Sequence, residues 1–81
     1  MEKSIYSRDY AILINLLRER RREVKITQVE LAKRLNQTQS FISKCERLER
    51  RLDVIELRAW CESLGMELAE FIALFDGRLS N

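Results

Sequence analysis

The sequence predicts an all-α fold of five short helices. Three observations carry this. Proline is absent and glycine occurs only at Gly65 and Gly77, so few turns can be sharp and little interrupts a helical segment. Apolar residues recur at spacings of three and four, the period of one helix face. Two stretches, TQVE and DVIE, pair residues in the way that opens a helix. The 81 residues suffice for one modest core and one domain, residues 1–81.

The first helix is expected from about Ser7 or Asp9 to Val24, with Tyr10, Leu13, Ile14 and Leu17 as its apolar stripe. Its arginine-rich last turns suit the negative end of the helix dipole. The second begins after Thr27, where Thr27 and Glu30 form a capping box. Leu31, Ala32 and Leu35 share a face, and the helix ends near Asn36, a residue that tolerates the left-handed conformation. The third follows Thr38 as N-cap, with Ile42 and Cys45 inward. The fourth opens on the box Asp53–Glu56, buries Leu57, Trp60, Cys61 and Leu64, and meets Gly65 as its C′ residue. The fifth runs from about Glu67 to Asp76, and Gly77 is expected to stop it. Helices this short are not stable alone and must share one core.

Composition narrows the function. A 46% hydrophobic and 35% charged chain has the balance of a soluble folded protein. The longest apolar runs are too short to span a membrane, and the N-terminus has no apolar signal core. With no His and only Cys45 and Cys61 as thiols, a zinc site lacks ligands. Free buried thiols point to a reducing cytoplasm. No Gly-rich phosphate loop, nucleophile elbow or Cys–His pair exists, so neither an enzyme nor a cofactor is expected. The net charge of +2 is unevenly placed. Residues 18–51 hold eleven Lys or Arg against five Glu, and residues 52–81 hold two Arg against six acids. One basic and one acidic block suggest a polyanion on one side of the molecule.

The feature that carries function is helix, three-residue turn, helix, over about residues 28–47. A turn that short makes two helices cross steeply, and Ala32 at the contact allows close approach. The second helix of such a pair can lie in the DNA major groove. Its outer face, Gln39, Ser40, Ser43 and Lys44, is rich in amide and hydroxyl groups with one cation. A merely solvated face would need only charge.

The stretch TQVELAKRLNQTQSFISKCERLERRLDVIEL resembles the Cro and phage-repressor family of helix-turn-helix regulators. The elements in register are Gln28 opening the motif, Ala32 fifth, Ile42 fifteenth, then SKCER and RRLD. The resemblance extends from LLRERRREVKITQ through LGMELAEFI. It implies a compact five-helix, lambda-repressor-like domain in a bacterial or phage protein that binds double-stranded DNA. It implies that Gln39, Ser40, Ser43 and Lys44 contact bases, a Gln amide suiting adenine and a Lys guanine. Gln28, Thr38, Arg47 and Arg50 would contact phosphates, and Gln28 would also brace the recognition helix. Phe41 either packs partly against the fourth helix or offers its ring to a thymine methyl. An ion pair between Arg21 and Glu46 is implied, sparing the DNA-facing helix a bare carboxylate.

Family members usually carry glycine where this chain has Lys25, Asn36 and Leu48. The departures at Lys25 and Leu48 predict either longer first and third helices or turns of another shape. Family members also dimerise, which places two recognition helices about 34 Å apart on a palindrome. The fifth helix offers the interface: Leu68, Phe71 and Ile72 can complete the core, and Phe71, Leu74, Phe75 and Leu79 are the candidate homodimer contacts. A sequence-specific repressor is the leading reading. The alternative is a protein-interaction module on the same scaffold, such as an antitoxin-like protein with a protein partner.

Overall fold

The computed structural model describes residues 2–80, with side chains described from Arg8 onward. Met1 and Asn81, the ends of the expected 1–81 domain, lie outside the described residues. The helices are α1 (Glu2–Glu23), α2 (Gln28–Leu35), α3 (Gln39–Glu46), α4 (Val54–Ser63) and α5 (Leu68–Leu79), and no strand occurs among the described residues. The all-α, five-helix expectation holds. Two boundaries differ. α1 begins before Ser7, and α5 continues through Gly77 to Leu79. A glycine weakens a helix interior by roughly 1 kcal/mol but does not forbid it, and Gly77 does not take the left-handed φ that would end one.

α1 packs on α3 and α5, α2 on α3 and α4, and α4 on α5. Every helix contributes to one core. Ile14 and Leu17 come from α1, Leu31 and Ala32 from α2, Ile42 and Cys45 from α3, Trp60 and Cys61 from α4, and Phe71 from α5. These are the positions that three-and-four spacing selects, because only one face of each helix can leave water.

The helix starts match the sequence at Thr27, Thr38 and Asp53. Each side-chain oxygen accepts the backbone N–H three residues on. The Asp53–Glu56 box is reciprocal, because Glu56 also accepts from the Asp53 N–H at 2.9 Å. At α2 the box is half made, since Glu30 turns to Arg34 at 3.3 Å instead of back to Thr27.

The helix ends share one device. After α1, α2, α3 and α4, a single residue takes positive φ: Lys25 (61°), Asn36 (56°), Leu48 (68°) and Gly65 (78°). In each case its N–H and that of the next residue turn back onto carbonyls of the last turn. For Leu48 and Glu49 these are Cys45 and Lys44; for Lys25 and Ile26 they are Arg22 and Arg21. This is the Schellman arrangement, and it satisfies carbonyls that the helix end leaves open. The expectation of longer helices or other turns at Lys25 and Leu48 is therefore corrected. The turns keep the glycine-type conformation and impose it on side-chain-bearing residues.

Candidate nucleic-acid interface

The turn and caps just described fix how α3 presents itself. Ile42, Cys45 and Glu46 face inward and are buried. Gln39, Ser40 and Lys44 are exposed, and Ser43 is half-buried. Residues 39, 40, 43 and 44 recur at one and four, so they lie along one side of the helix. Gln28 stands at the first turn of α2 beside this face, and Gln39 Nε2 donates to Gln28 Oε1 at 3.3 Å.

Behind the face sits a polar cluster in an otherwise apolar interior. Arg21 of α1 donates from Nε to Glu46 Oε2 at 2.7 Å and from Nη2 to Oε1 at 3.0 Å. The Glu46 side chain is 4% exposed and that of Arg21 11%. Gln28 Nε2 donates to the same Oε1 at 2.9 Å, and Arg18 Nε approaches it at 3.9 Å. Arg21 also donates to the Ile26 carbonyl at 2.8 Å. A carboxylate this far from water needs such company, because an unpaired buried charge costs several kcal/mol. The cluster joins α1, the start of α2 and the end of α3, and so fixes their mutual angles. Neither the Arg18 approach nor the Gln28 bond is readable from spacing, since both depend on how three helices meet.

The implied phosphate contacts are placed differently from one another. Thr38 is exposed, with its hydroxyl oxygen engaged in the cap. Arg47 forks onto Glu49 at 3.1 and 3.3 Å and donates to the Ser43 hydroxyl at 2.6 Å. Arg50 forks onto Glu56 at 3.0 and 3.1 Å. Hydrogen bonds from these arginines hold the carboxyls of Glu49 and Glu56 below their ordinary range. Both arginines are surface groups already engaged with acids. Arg20 and Arg34 are also occupied internally, donating to the Leu64 and Ser63 carbonyls at the end of α4. The basic block seen in the sequence is thus partly a set of internal ties.

Phe41 is half-buried. Its ring lies 6.3 Å from that of Trp60, tilted by 48°, and the Arg50 guanidinium sits 4.8 Å above it. It also lines a small cavity with Leu35, Gln37, Glu56, Ala59 and Trp60. Of the two openings left by the sequence, the geometry is the packed one. The loop before α4 is pinned by Tyr10, whose hydroxyl donates to the Arg50 carbonyl at 3.2 Å and accepts from the Leu52 N–H at 3.1 Å. Sequence reasoning placed Tyr10 only on an apolar stripe. Its bonds span about forty residues and leave no local signal.

On α5 the expected division between core and surface changes. Phe71 is fully buried, so it has no surface to offer a second chain. Ile72, expected inside, is 41% exposed. The cause is register: successive residues of a helix lie about 100° apart, so a fully buried Phe71 turns Ile72 away from the core. Leu74 and Leu79 are exposed, and Phe75 is half-buried. A shallow, mostly apolar groove runs along Leu68, Ala69, Ile72, Ala73 and Phe75. Among the described residues no His, Cys, Asp and Glu cluster could hold a metal, and no helix is long and apolar enough to cross a membrane.

Known proteins share this arrangement. A helix-turn-helix family model matches residues 17–71. An XRE-family-like protein from Pseudomonas syringae pv. tomato is 42% identical, with 95% of this chain and 94% of that one covered and a TM-score of 0.88. The clp gene regulator ClgR from Corynebacterium glutamicum superposes with a TM-score of 0.77 over 89% of this chain and 77% of its own. At 24% identity it is similar in fold. No curated protein matches the sequence. The chain belongs to the Cro- and repressor-type helix-turn-helix family of DNA-binding transcriptional regulators.

Proposed function

We propose that the protein is a transcriptional repressor that binds a palindromic duplex as a homodimer, with one α3 in each of two successive major grooves. The observation that carries the reading is the outward side of α3. Gln39, Ser40 and Lys44 are exposed there, while the opposite side is locked by Ile42, Cys45 and the buried Arg21–Glu46 pair. Amide, hydroxyl and ammonium groups on a rigid helix match the donor and acceptor pattern of base edges. Ser43 reads less directly, because its hydroxyl is engaged by Arg47. Gln28, Thr38, Arg47 and Arg50 would hold the flanking phosphates.

The dimer forms through α5, from Ile72, Leu74, Phe75 and Leu79. Ile72, Phe75 and Leu79 recur at three, four and seven and so share one side of α5, where Ile72 and Leu79 are exposed and Phe75 half-buried. This is an apolar strip of a kind that a second copy would cover, with Leu74 exposed on another side of the helix. One recognition helix alone discriminates weakly, so a second adds both affinity and specificity.

Selection from a pool of randomised duplexes tests the reading, and a palindromic consensus is the expected result. Affinity for the selected site should fall with log salt at a slope near −0.9 per phosphate contacted. Salt-independent binding, or none to any duplex, would favour the protein-interaction module instead. For the dimer, sedimentation of wild type and Ile72→Glu should give a dimer and a monomer. The same mass for both would remove α5 as the interface.

A further inference from the structure

We propose that Glu46, which touches no base, sets which purine Gln39 reads; the inference rests on α3 being the DNA-reading helix. The argument follows hydrogens through three side chains. Glu46 Oε1 takes hydrogen bonds from Arg21 and Gln28, and Oε2 takes one from Arg21. A carboxylate accepts and has nothing to donate. Gln28 must therefore turn its NH2 toward Glu46, which leaves its carbonyl Oε1 facing Gln39. An amide carbonyl also only accepts, so Gln39 must turn its own NH2 toward Gln28, at 3.3 Å. The direction of every amide in the chain is thus dictated by the buried acid at its far end.

The consequence appears at the exposed end. One N–H of Gln39 is engaged with Gln28. One N–H and the carbonyl Oε1 remain for the groove. Adenine shows an acceptor, N7, beside a donor, N6–H. Guanine shows two acceptors, N7 and O6. An amide with one hydrogen left and one carbonyl fits adenine and sets its oxygen against guanine O6. Gln39 freed from the relay could instead give both hydrogens to guanine. Glu46 is in this sense a positioning residue for base choice, in addition to its part in holding three helices together.

Replacing the buried pair by apolar residues of similar volume, Arg21→Met with Glu46→Leu, removes the acceptor that orients the relay without stranding a charge. Gln28 is then free to turn either end of its amide to Gln39, and Gln39 to turn either end to the groove. The preference for adenine fades. A role confined to stability would weaken binding to all sequences alike and leave the preference in place.

The test begins with sites selected from a randomised duplex pool by wild type. The position read by Gln39 is the one whose preference Gln39→Ala abolishes. Competition between duplexes carrying adenine or guanine there should favour adenine by on the order of tenfold in wild type. The Arg21→Met, Glu46→Leu double variant should bring the ratio near one. Gln28→Ala, which cuts the relay and spares the Arg21–Glu46 pair, should do the same. This second variant decides the matter if the double variant fails to fold by circular dichroism. An unchanged ratio in Gln28→Ala, or in the folded double variant, overturns the relay while the DNA-reading function stands. A wild type that prefers guanine at that position also overturns it. If wild type selects no sequence at all, the DNA-reading function itself fails, and the relay with it.

Discussion

At the scale of single residues, Lys25 and Leu48 stand out. Each carries a Cβ in a left-handed conformation that disfavours it by about 1–2 kcal/mol. Glycine removes that strain but adds freedom to the unfolded chain, a loss of about 0.5–1 kcal/mol. Lys25→Gly should therefore stabilise the protein by about 0.5–1 kcal/mol, read as a higher midpoint in urea unfolding. Leu48→Gly should gain less, because the half-exposed Leu48 side chain also loses apolar cover. Arg21 acts in the other direction. Arg21→Ala strands a buried carboxylate with Arg18 at 3.9 Å and Gln28 as its remaining company, and should cost about 3 kcal/mol or more. A thermal midpoint within a degree or two of wild type would show that the pair contributes little. The Arg21–Glu46 bond lay within reach of the sequence only through family resemblance. Nothing in a spacing of twenty-five residues predicts that two side chains meet.

At the scale of elements, α3 and its flanking loop hold their arginines against their own acids. Arg47 rests on Glu49 and Arg50 on Glu56, and all four side chains are substantially exposed. Contact of these arginines with phosphate competes with the carboxylates they already hold. Glu49→Gln weakens that competitor without touching the core. It should tighten duplex binding several-fold at low salt, measured by fluorescence anisotropy of labelled DNA, and weaker binding would mean that Glu49 serves the interface instead. Glu56 is a less clean test, because it also caps α4 through the Asp53 N–H. Helix starts were legible because a cap is a local hydrogen bond between residues three apart. Helix ends were less so. Asn36 and Gly65 advertise the left-handed turn, whereas Lys25 and Leu48 adopt it against their own preference, because the next helix must pack where it does. The α5 boundary was misjudged for the converse reason: Gly77 permits a stop but does not compel one. Which side of α5 enters the core depends on the crossing with α1, which periodicity alone leaves open by one residue.

At the scale of the whole molecule, the core holds two thiols with no exposure, Cys45 and Cys61. Burial pushes both up from the ordinary 9.0 to about 11. Partial burial raises the Tyr10 hydroxyl in the same sense. The folded state thus holds protons that the unfolded chain releases. Their contribution to stability is full below the unfolded value and is lost as pH rises from about 9 through about 11. The thermal midpoint should be flat near neutrality and decline across that window. A Cys45→Ala, Cys61→Ala double variant, less stable overall, should decline less steeply. In the native protein neither thiol should react with iodoacetamide at about pH 8 on the timescale of a free cysteine, since the thiolate is the nucleophile. Rapid modification without unfolding would contradict the burial.

Trp60 is the only tryptophan in the chain, and it is fully buried. Its one aromatic neighbour among the described residues is Phe41, which belongs to α3 and carries the Arg50 guanidinium on its ring. The molecule therefore contains its own optical probe, one ring removed from the face proposed to meet DNA. Native emission should be blue-shifted and should move to the red in a single step on unfolding. Addition of a cognate duplex should change its intensity while leaving its wavelength nearly fixed, because docking draws Arg50 off Phe41 without opening the core. Label-free titrations of unfolding and of DNA binding can then be read from the same indole.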